Sequence, residues 1–273
     1  MKLGEKQVLT VVKKVEFGVY LGSDKEKVLL QAKQVPAGVE PGDEVEVFLY
    51  RDSSDRLIAT TNEPKITLGE LKVLTVVDTG KIGAFLDWGL EKDLLLPFKE
   101  QTAEVKKGDS CLVSLYEDKS GRLCATMKVY PLLRTDSPYK KEDQVTGIVY
   151  DTSREFGVFV AVDDQYSARI PKKEVYGNLT VGTRVQARVT AVKADGKLDL
   201  SVRDRIPQQM EKDADKILKE MEKRGGSLPF TDKADPERIK AELGMSKAAF
   251  KRAVGRLMKA GKIVITDGKI VRR

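Results

Sequence analysis

The chain contains no histidine, and that absence narrows its chemistry more than any other feature. Histidine is the commonest general base, the usual partner of a nucleophile and the commonest metal ligand. There is also no P-loop, no GxSxG, no GxGxxG opening a helix after a strand, and no CxxC. Asp and Glu are plentiful but form no recognisable metal cluster, so a carboxylate-based nuclease ranks last among the readings. The expectation is a protein that is not an enzyme and needs no cofactor or metal.

Cysteine is nearly as scarce. Cys111 and Cys124 are the two present, both in strand-like segments. If Glu117 and Arg122 flank a hairpin turn, Leu115 lies opposite Cys124, and Cys111 is then roughly 13 Å further along at about 3.3 Å per residue. A disulfide needs α-carbons within about 7 Å, so two buried, reduced thiols are expected. Long apolar runs are missing too: none approaches the roughly 18 residues of a membrane span. The start, MKLGEKQVLTVVKK, lacks the apolar core of a signal peptide. A soluble cytoplasmic protein with no membrane partner is expected.

Charge is present in quantity but unevenly placed. Residues 1–139 hold 20 Lys+Arg against 22 Asp+Glu, residues 140–204 hold 11 against 10, and residues 205–273 hold 18 against 10. The whole excess of the net +7 therefore lies at the C-terminal end. A basic module attached to near-neutral ones points to a polyanionic partner, the bland alternative being a solvated basic helix face.

A pattern recurs three times. FGVYL at 17–21, IGAFL at 82–86 and FGVFV at 156–160 each follow a strand-like lead-in and precede a short apolar run, VLLQ, LLLP or ARIP. A Gly-bearing turn and a strand come next, then a polar turn and a last strand. Gly18 to Arg56, Gly83 to Arg122 and Gly157 to Lys197 span 38, 39 and 40 residues. Such agreement marks an internal repeat the size of a small domain. Five short strands in that length fit a closed or nearly closed barrel, of which the OB-fold is the five-stranded Greek-key form. The repeated glycine falls where a strand must coil sharply, because glycine inside a strand marks a bend, bulge or close approach.

These residues resemble the S1 RNA-binding domain. The third copy matches along VTGIVYDTSREFGVFV, ARIP, VGTRVQARV and DGKLDLS. The second matches from IGAFLDWG to DKSGRLCAT, with Ile82 in place of the first aromatic. The first diverges further, with Gln31 after its VLL run and Asp55 in place of the last-turn glycine.

After Arg205 the period changes. Met210, Ala214, Ile217, Leu218 and Met221 recur at helical spacing up to Gly225–Gly226. A second helix is predicted from about Asp235, the N-cap before Pro236, to Leu243, and a third, capped by Ser246, over KAAFKRAVGRLMKAG. Two short strands follow, joined by Asp267–Gly268, a hairpin signal. This is the layout of a winged helix. In the third helix Phe250, Val254 and Leu257 share one face, with Arg252, Arg256 and Lys259 opposite. Lys247, Lys251 and Lys269 complete its candidate nucleic-acid contacts, for which DNA reading, RNA backbone contact and protein contact stay open. The predicted architecture is mostly β with a C-terminal α+β domain: S1-like OB-fold barrels over residues 1–62, 68–130 and 142–204, and a winged helix over 207–273. That order resembles the bacterial conserved virulence factor B (CvfB/YitL-like) family, and the resemblance implies a cytoplasmic RNA-binding regulator.

Single-stranded RNA is held by stacking splayed bases on aromatic rings while basic side chains take phosphates. In repeat 3 the candidates are Phe156 and Phe159, with Arg154, Arg169, Lys197 and Arg203 around them. The S1 resemblance implies RNA contact for Phe156, Phe159 and Lys197; Pro171 stands where many relatives have histidine, a departure at one contact position. Residues three apart on a regular strand face opposite ways, so a bulge at Gly157 is expected to turn both rings to the ligand. Secondary candidates are Phe85, Trp88 and Arg122 in repeat 2, and Phe17, Tyr20 and Arg56 in repeat 1. Both repeats lie in the stretch of net −2 charge and are expected to bind weakly or to act as spacers or protein contacts. Tyr50 and Tyr116 are expected to pack the barrels.

The reading is an RNA-binding regulatory protein acting mainly through repeat 3 and the winged helix, with single-stranded RNA as partner. The short connection from Asp204 to Pro207 is expected to hold those two modules close, while 62–70 and 130–144 look polar enough to bend. The rivals are a winged-helix regulator of transcription on duplex DNA, and an adaptor for a ribosome or RNA-decay protein. The first calls for dimerisation, of which no heptad signal is seen.

Overall fold

The structure is a computed structural model that describes all residues except Ser53, Tyr176, Asp204 and Arg205, and the side chains of 206–209. Residues Met1–Val202 form one unit and Arg203–Arg273 another. Among the described residues the first unit contains three five-stranded β units in succession. The first comprises β1 (Lys6–Val15), β2 (Gly18–Gly22), β3 (Lys27–Gln31), β4 (Glu44–Arg51) and β5 (Leu57–Thr60). The second comprises β6 (Leu71–Gly80), β7 (Gly83–Asp87), β8 (Leu94–Pro97), β9 (Ser110–Glu117) and β10 (Leu123–Thr126). The third comprises β11 (Gln144–Ser153), β12 (Gly157–Val162), β13 (Tyr166–Pro171), β14 (Arg184–Val192) and β15 (Leu198–Ser201). The first and third close as barrels in the order β1-β2-β3-β5-β4 and β11-β12-β13-β15-β14, and the second has the order β10-β9-β6-β7-β8.

Two devices recur and explain the curvature. The first long strand of each unit carries a register shift, at Val11/Lys13, Val76/Asp78 and Val149/Asp151. Such bulges bend and twist a strand. The repeated glycine opens the second strand with φ of 149°, 153° and 106°. A Cβ there would stand 2.1–2.2 Å from the carbonyl oxygens of Leu30, Leu96 and Ile170. Gly18, Gly83 and Gly157 are thus needed for close backbone approach as well as for φ. The bulge expected at Gly157 itself is absent: Gly157–Val162 pairs with Tyr166–Pro171 in unbroken register.

The barrels do not merely follow one another. Along β4, Val45, Val47 and Leu49 point into the first barrel, while Phe48 and Tyr50 point out into a core shared with the second. Along β11, Val145 and Val149 fill the third barrel, while Ile148 and Tyr150 join Leu112, Val129 and Leu133 in a core between the second and third. A strand buried on both faces reads as an apolar run, as VFLY and GIVY do. The segments expected to bend are fastened by the same packing. Ile66 is fully buried, the Leu68 amide donates to the Gly4 carbonyl at 2.8 Å, and the Arg134 amide donates to the Gln165 carbonyl at 2.8 Å. Apolar residues set among polar ones carry these segments into the cores.

Both cysteines are buried and free. Burial pushes the Cys111 thiol up to about 12 and the Cys124 thiol up to about 11, which leaves them largely protonated and unreactive. The hairpin register differs by one from expectation: Cys124 pairs with Tyr116, and Leu115 with Ala125.

The C-terminal unit runs α1 (Ile206–Lys223), β16 (Ser227–Leu228), α2 (Pro236–Leu243), α3 (Lys247–Lys259), β17 (Ile263–Thr266) and β18 (Lys269–Arg272). Asp235 accepts from the Glu237 amide and Ser246 from the Ala249 amide, capping α2 and α3 as expected. Phe250, Val254 and Leu257 are buried with Ile217 and Met221 of α1. Asp267 and Gly268 both have positive φ, as a two-residue hairpin turn requires. The two-residue β16, which pairs with β18, escaped the sequence reading because so short a strand carries no alternation. The expected connection at 204–207 lies outside the described residues.

Candidate nucleic-acid interface

Phe156 lies in the turn before β12, where the Ser153 hydroxyl accepts from its amide at 3.2 Å. Strand alternation therefore does not govern it, and the residue is 52% exposed. Phe159, on β12 proper, is half-buried and leans on Tyr150, with ring centroids 6.2 Å apart. Both rings line one cleft of about 200 Å³, together with Tyr130, Arg169, Lys193, Asp195 and Lys197. The turn, rather than a bulge, brings the two phenylalanines together.

Each cation of the cleft already has an acidic partner. Lys197 pairs with Asp195 at 2.7 Å, and Asp199 takes both Arg169 at 3.2 Å and Lys193 at 3.4 Å. The Asp195 carboxylate, and after it the Tyr130 hydroxyl, hold the Lys197 ammonium above its usual range. Lys197 in turn lowers Asp195. Partly exposed pairs of this kind are worth about 0–1 kcal/mol, so exchanging a carboxylate for a phosphate costs little. The pairs preset the cations beside the rings.

The other candidates of this barrel lie elsewhere. Arg154 is exposed and lines a different, broad groove with Lys106, Thr152, Gly157 and Lys172. Arg203 belongs to the C-terminal unit. Tyr130 and Lys193 were missed by the sequence reading. Tyr130 lies past the last strand of the second repeat, outside the segments that align between the copies.

The second barrel has a counterpart cleft of about 160 Å³ lined by Ile82, Phe85, Leu95 and Arg122, with Tyr50 and Arg51 of the first barrel. Arg122 is held by Asp55 of the first barrel at 3.0 Å, and Arg51 donates to the Gly121 carbonyl at 2.7 Å. Trp88 requires a correction: it is only 3% exposed, packed edge-on against Phe48 and Tyr50, and its indole N–H donates to the Lys92 carbonyl. It is a core residue between barrels, and although it forms part of the wall of this cleft, its burial leaves little surface on which a base could stack. In the first barrel Phe17 is exposed and meets the half-buried Tyr20 edge-on at 6.4 Å, while Arg56 pairs with Asp52 at 2.7 Å. Tyr50 is buried and Tyr116 half-buried.

On α3, Lys251, Arg252 and Lys259 are exposed and form no ion pair among the described residues. Lys269, on β18, is likewise exposed. Lys247 reaches the Lys233 carbonyl at 3.4 Å, and Arg256 is drawn to Glu211 of α1 at 3.1 Å. Among the described residues no group of three or more acidic or thiol side chains is placed to hold a metal, and no helix is long and apolar enough to cross a membrane.

Comparison with known proteins supplies the lineage. The S1 domain model matches residues 3–62 and 68–128, the model for the second domain of virulence regulatory factor CvfB matches 131–204, and the CvfB-like winged helix domain model matches 215–271. The uncharacterized protein YitL of Bacillus subtilis is 35% identical, over 98% of this chain and 93% of its own. Conserved virulence factor B of Staphylococcus epidermidis is 30% identical, over 91% and 87%. A crystal structure of a multidomain protein with nucleic acid binding domains from Streptococcus pneumoniae aligns over 99% of this chain and 98% of its own, with 28% identity and a TM-score of 0.56.

Proposed function

Because the chain belongs to the conserved virulence factor B (CvfB/YitL-like) family, we propose that it is a nucleic-acid-binding regulatory protein that holds single-stranded RNA, mainly through its third barrel and its winged helix. The observation that carries this reading is the cleft in which Phe156, Phe159, Arg169 and Lys197 converge. Stacking contributes about 1–3 kcal/mol per base, so two rings with neighbouring cations suffice for useful affinity. A covalently linked second module adds affinity through effective concentration. The S1 and winged-helix matches, and the nucleic acid binding domains named for the Streptococcus relative, support the same class of partner.

A second reading rests on α3, whose exposed Lys251, Arg252 and Lys259 suit the phosphates or groove of duplex DNA. Fluorescence anisotropy separates the two. The full chain is titrated with a short single-stranded RNA and with a matched DNA duplex, each at two salt concentrations. Tighter binding to RNA, lost on Phe156→Ala/Phe159→Ala, supports the stacking reading. Tighter binding to duplex, unchanged by those substitutions and lost on Lys251→Ala/Arg252→Ala, moves the function to the winged helix. Salt-independent, negligible binding of both favours the adaptor reading.

A further inference from the structure

The third-barrel cleft has a wall that the third barrel does not supply. Tyr130 sits in the 3-10 turn Tyr130–Leu132, just after the second barrel. Its flanks are fixed: Val129 and Leu133 are buried in the core between the second and third barrels, and Pro131 restrains the turn. The following Arg134 exchanges backbone hydrogen bonds with the third barrel, its amide donating to the Gln165 carbonyl and its carbonyl accepting from the Ser167 amide, each at 2.8 Å. Yet Tyr130 itself is 51% exposed. It lines the same cleft as Phe156 and Phe159, and the Lys197 ammonium lies 5.6 Å from its centroid. An aromatic ring held rigidly by buried neighbours, half open to solvent and adjoining two other rings, is already arranged for stacking before any ligand arrives.

Resting on the reading of this cleft as an RNA site, we infer that Tyr130 supplies a third aromatic face, so that the cleft accepts an unpaired base among Tyr130, Phe156 and Phe159. The recognised class is a single-stranded nucleic acid with a splayed base, because a base inside a duplex has both faces covered by its neighbours. Lys197 serves two ends: it holds the Tyr130 ring from one side and offers its remaining donors to the phosphate or base edge. The site is thereby composite. Its third wall is positioned by the packing of the second barrel on the third, and binding is sensitive to that packing.

The test uses the full chain, anisotropy with a short labelled single-stranded RNA of mixed sequence, and the same backbone carrying abasic positions. Tyr130→Ala is expected to weaken binding of the base-bearing RNA by about 5- to 150-fold, the equivalent of one stacked base. Tyr130→Phe and Tyr130→Trp are expected to retain it, and the abasic strand to be indifferent to all three. Wild-type affinity in Tyr130→Ala, with Phe156→Ala weakened, overturns this inference and leaves the RNA reading standing. Wild-type affinity in both overturns the reading as well. An equal loss in Tyr130→Phe, or an equal loss on the abasic strand, assigns the effect to the hydroxyl or to Lys197 and overturns the stacking role. Thermal melting of all three variants, Tyr130→Ala included, confirms that the comparison is among folded proteins.

Discussion

The second and third barrels share a topology, a first-strand bulge and a glycine that meets a carbonyl oxygen, yet their clefts differ in what surrounds them. In the third, two half-exposed rings and a half-buried one meet cations paired to carboxylates within reach of solvent. In the second, Ile82 replaces the leading phenylalanine, the sole tryptophan turns inward, and the basic residue Arg122 is tied across to Asp55 of the first barrel. The same scaffold thus carries an open aromatic cleft in one copy and, in the other, a cleft partly spent on holding two barrels together. Fold alone does not decide function; the few side chains at the cleft do.

The largest expected effect separates the aromatic residues by role. Trp88→Ala removes a buried ring between barrels and should cost about 3–5 kcal/mol of stability, read from urea unfolding by circular dichroism because the sole tryptophan is lost. RNA affinity per folded molecule should not change. A stable Trp88→Ala protein with weakened RNA binding would contradict its placement in the core.

A gain of function sharpens the contrast from the other side. Ile82→Phe with Asp55→Asn restores the leading ring and frees Arg122, and is expected to raise RNA affinity by about fivefold, the lower end of one stacked base. No gain would mean that the first barrel, rather than those two side chains, closes the second cleft.

Much of this contrast could be read from the residues, and the misses have physical causes. The glycine spacing and turn signals located the barrels because curvature constrains backbone, and backbone constraints show as Gly, Pro and Asp at fixed offsets. Asp235, Ser246 and Asp267–Gly268 marked the C-terminal elements for the same reason. Packing between barrels left no such trace. Trp88 looks like an exposed loop aromatic until Phe48 and Tyr50 are placed against it. Tyr130 looks like a linker residue until Val129 and Leu133 are buried beneath it. The Cys124 register shifted by one because hairpin turns set register, and turn length is ambiguous in DKSGR.

A smaller effect concerns the cations. Lys197→Gln in the third barrel should reduce the slope of log affinity against log salt by about 0.7, the value for one phosphate contact to a single strand, whereas Arg122→Gln should leave it unchanged. Smallest of all is the response to pH. Lys197 is raised and so keeps its charge until pH climbs above the ordinary lysine range, and Asp195 is lowered and so keeps its charge until pH falls below the ordinary carboxylate range. With no histidine in the chain, RNA affinity should change by less than about twofold between about pH 6 and about pH 9. A steep change in that window would require a titrating group outside the cleft.

The most direct test of the central claim compares the two clefts in the full chain by anisotropy with one single-stranded RNA. Phe156→Ala/Phe159→Ala is set against Ile82→Ala/Phe85→Ala, with circular dichroism confirming that both variants fold. The account predicts a loss of at least about fivefold in the third-barrel pair and none in the second-barrel pair. Equal losses, or a loss confined to the second barrel, would contradict it.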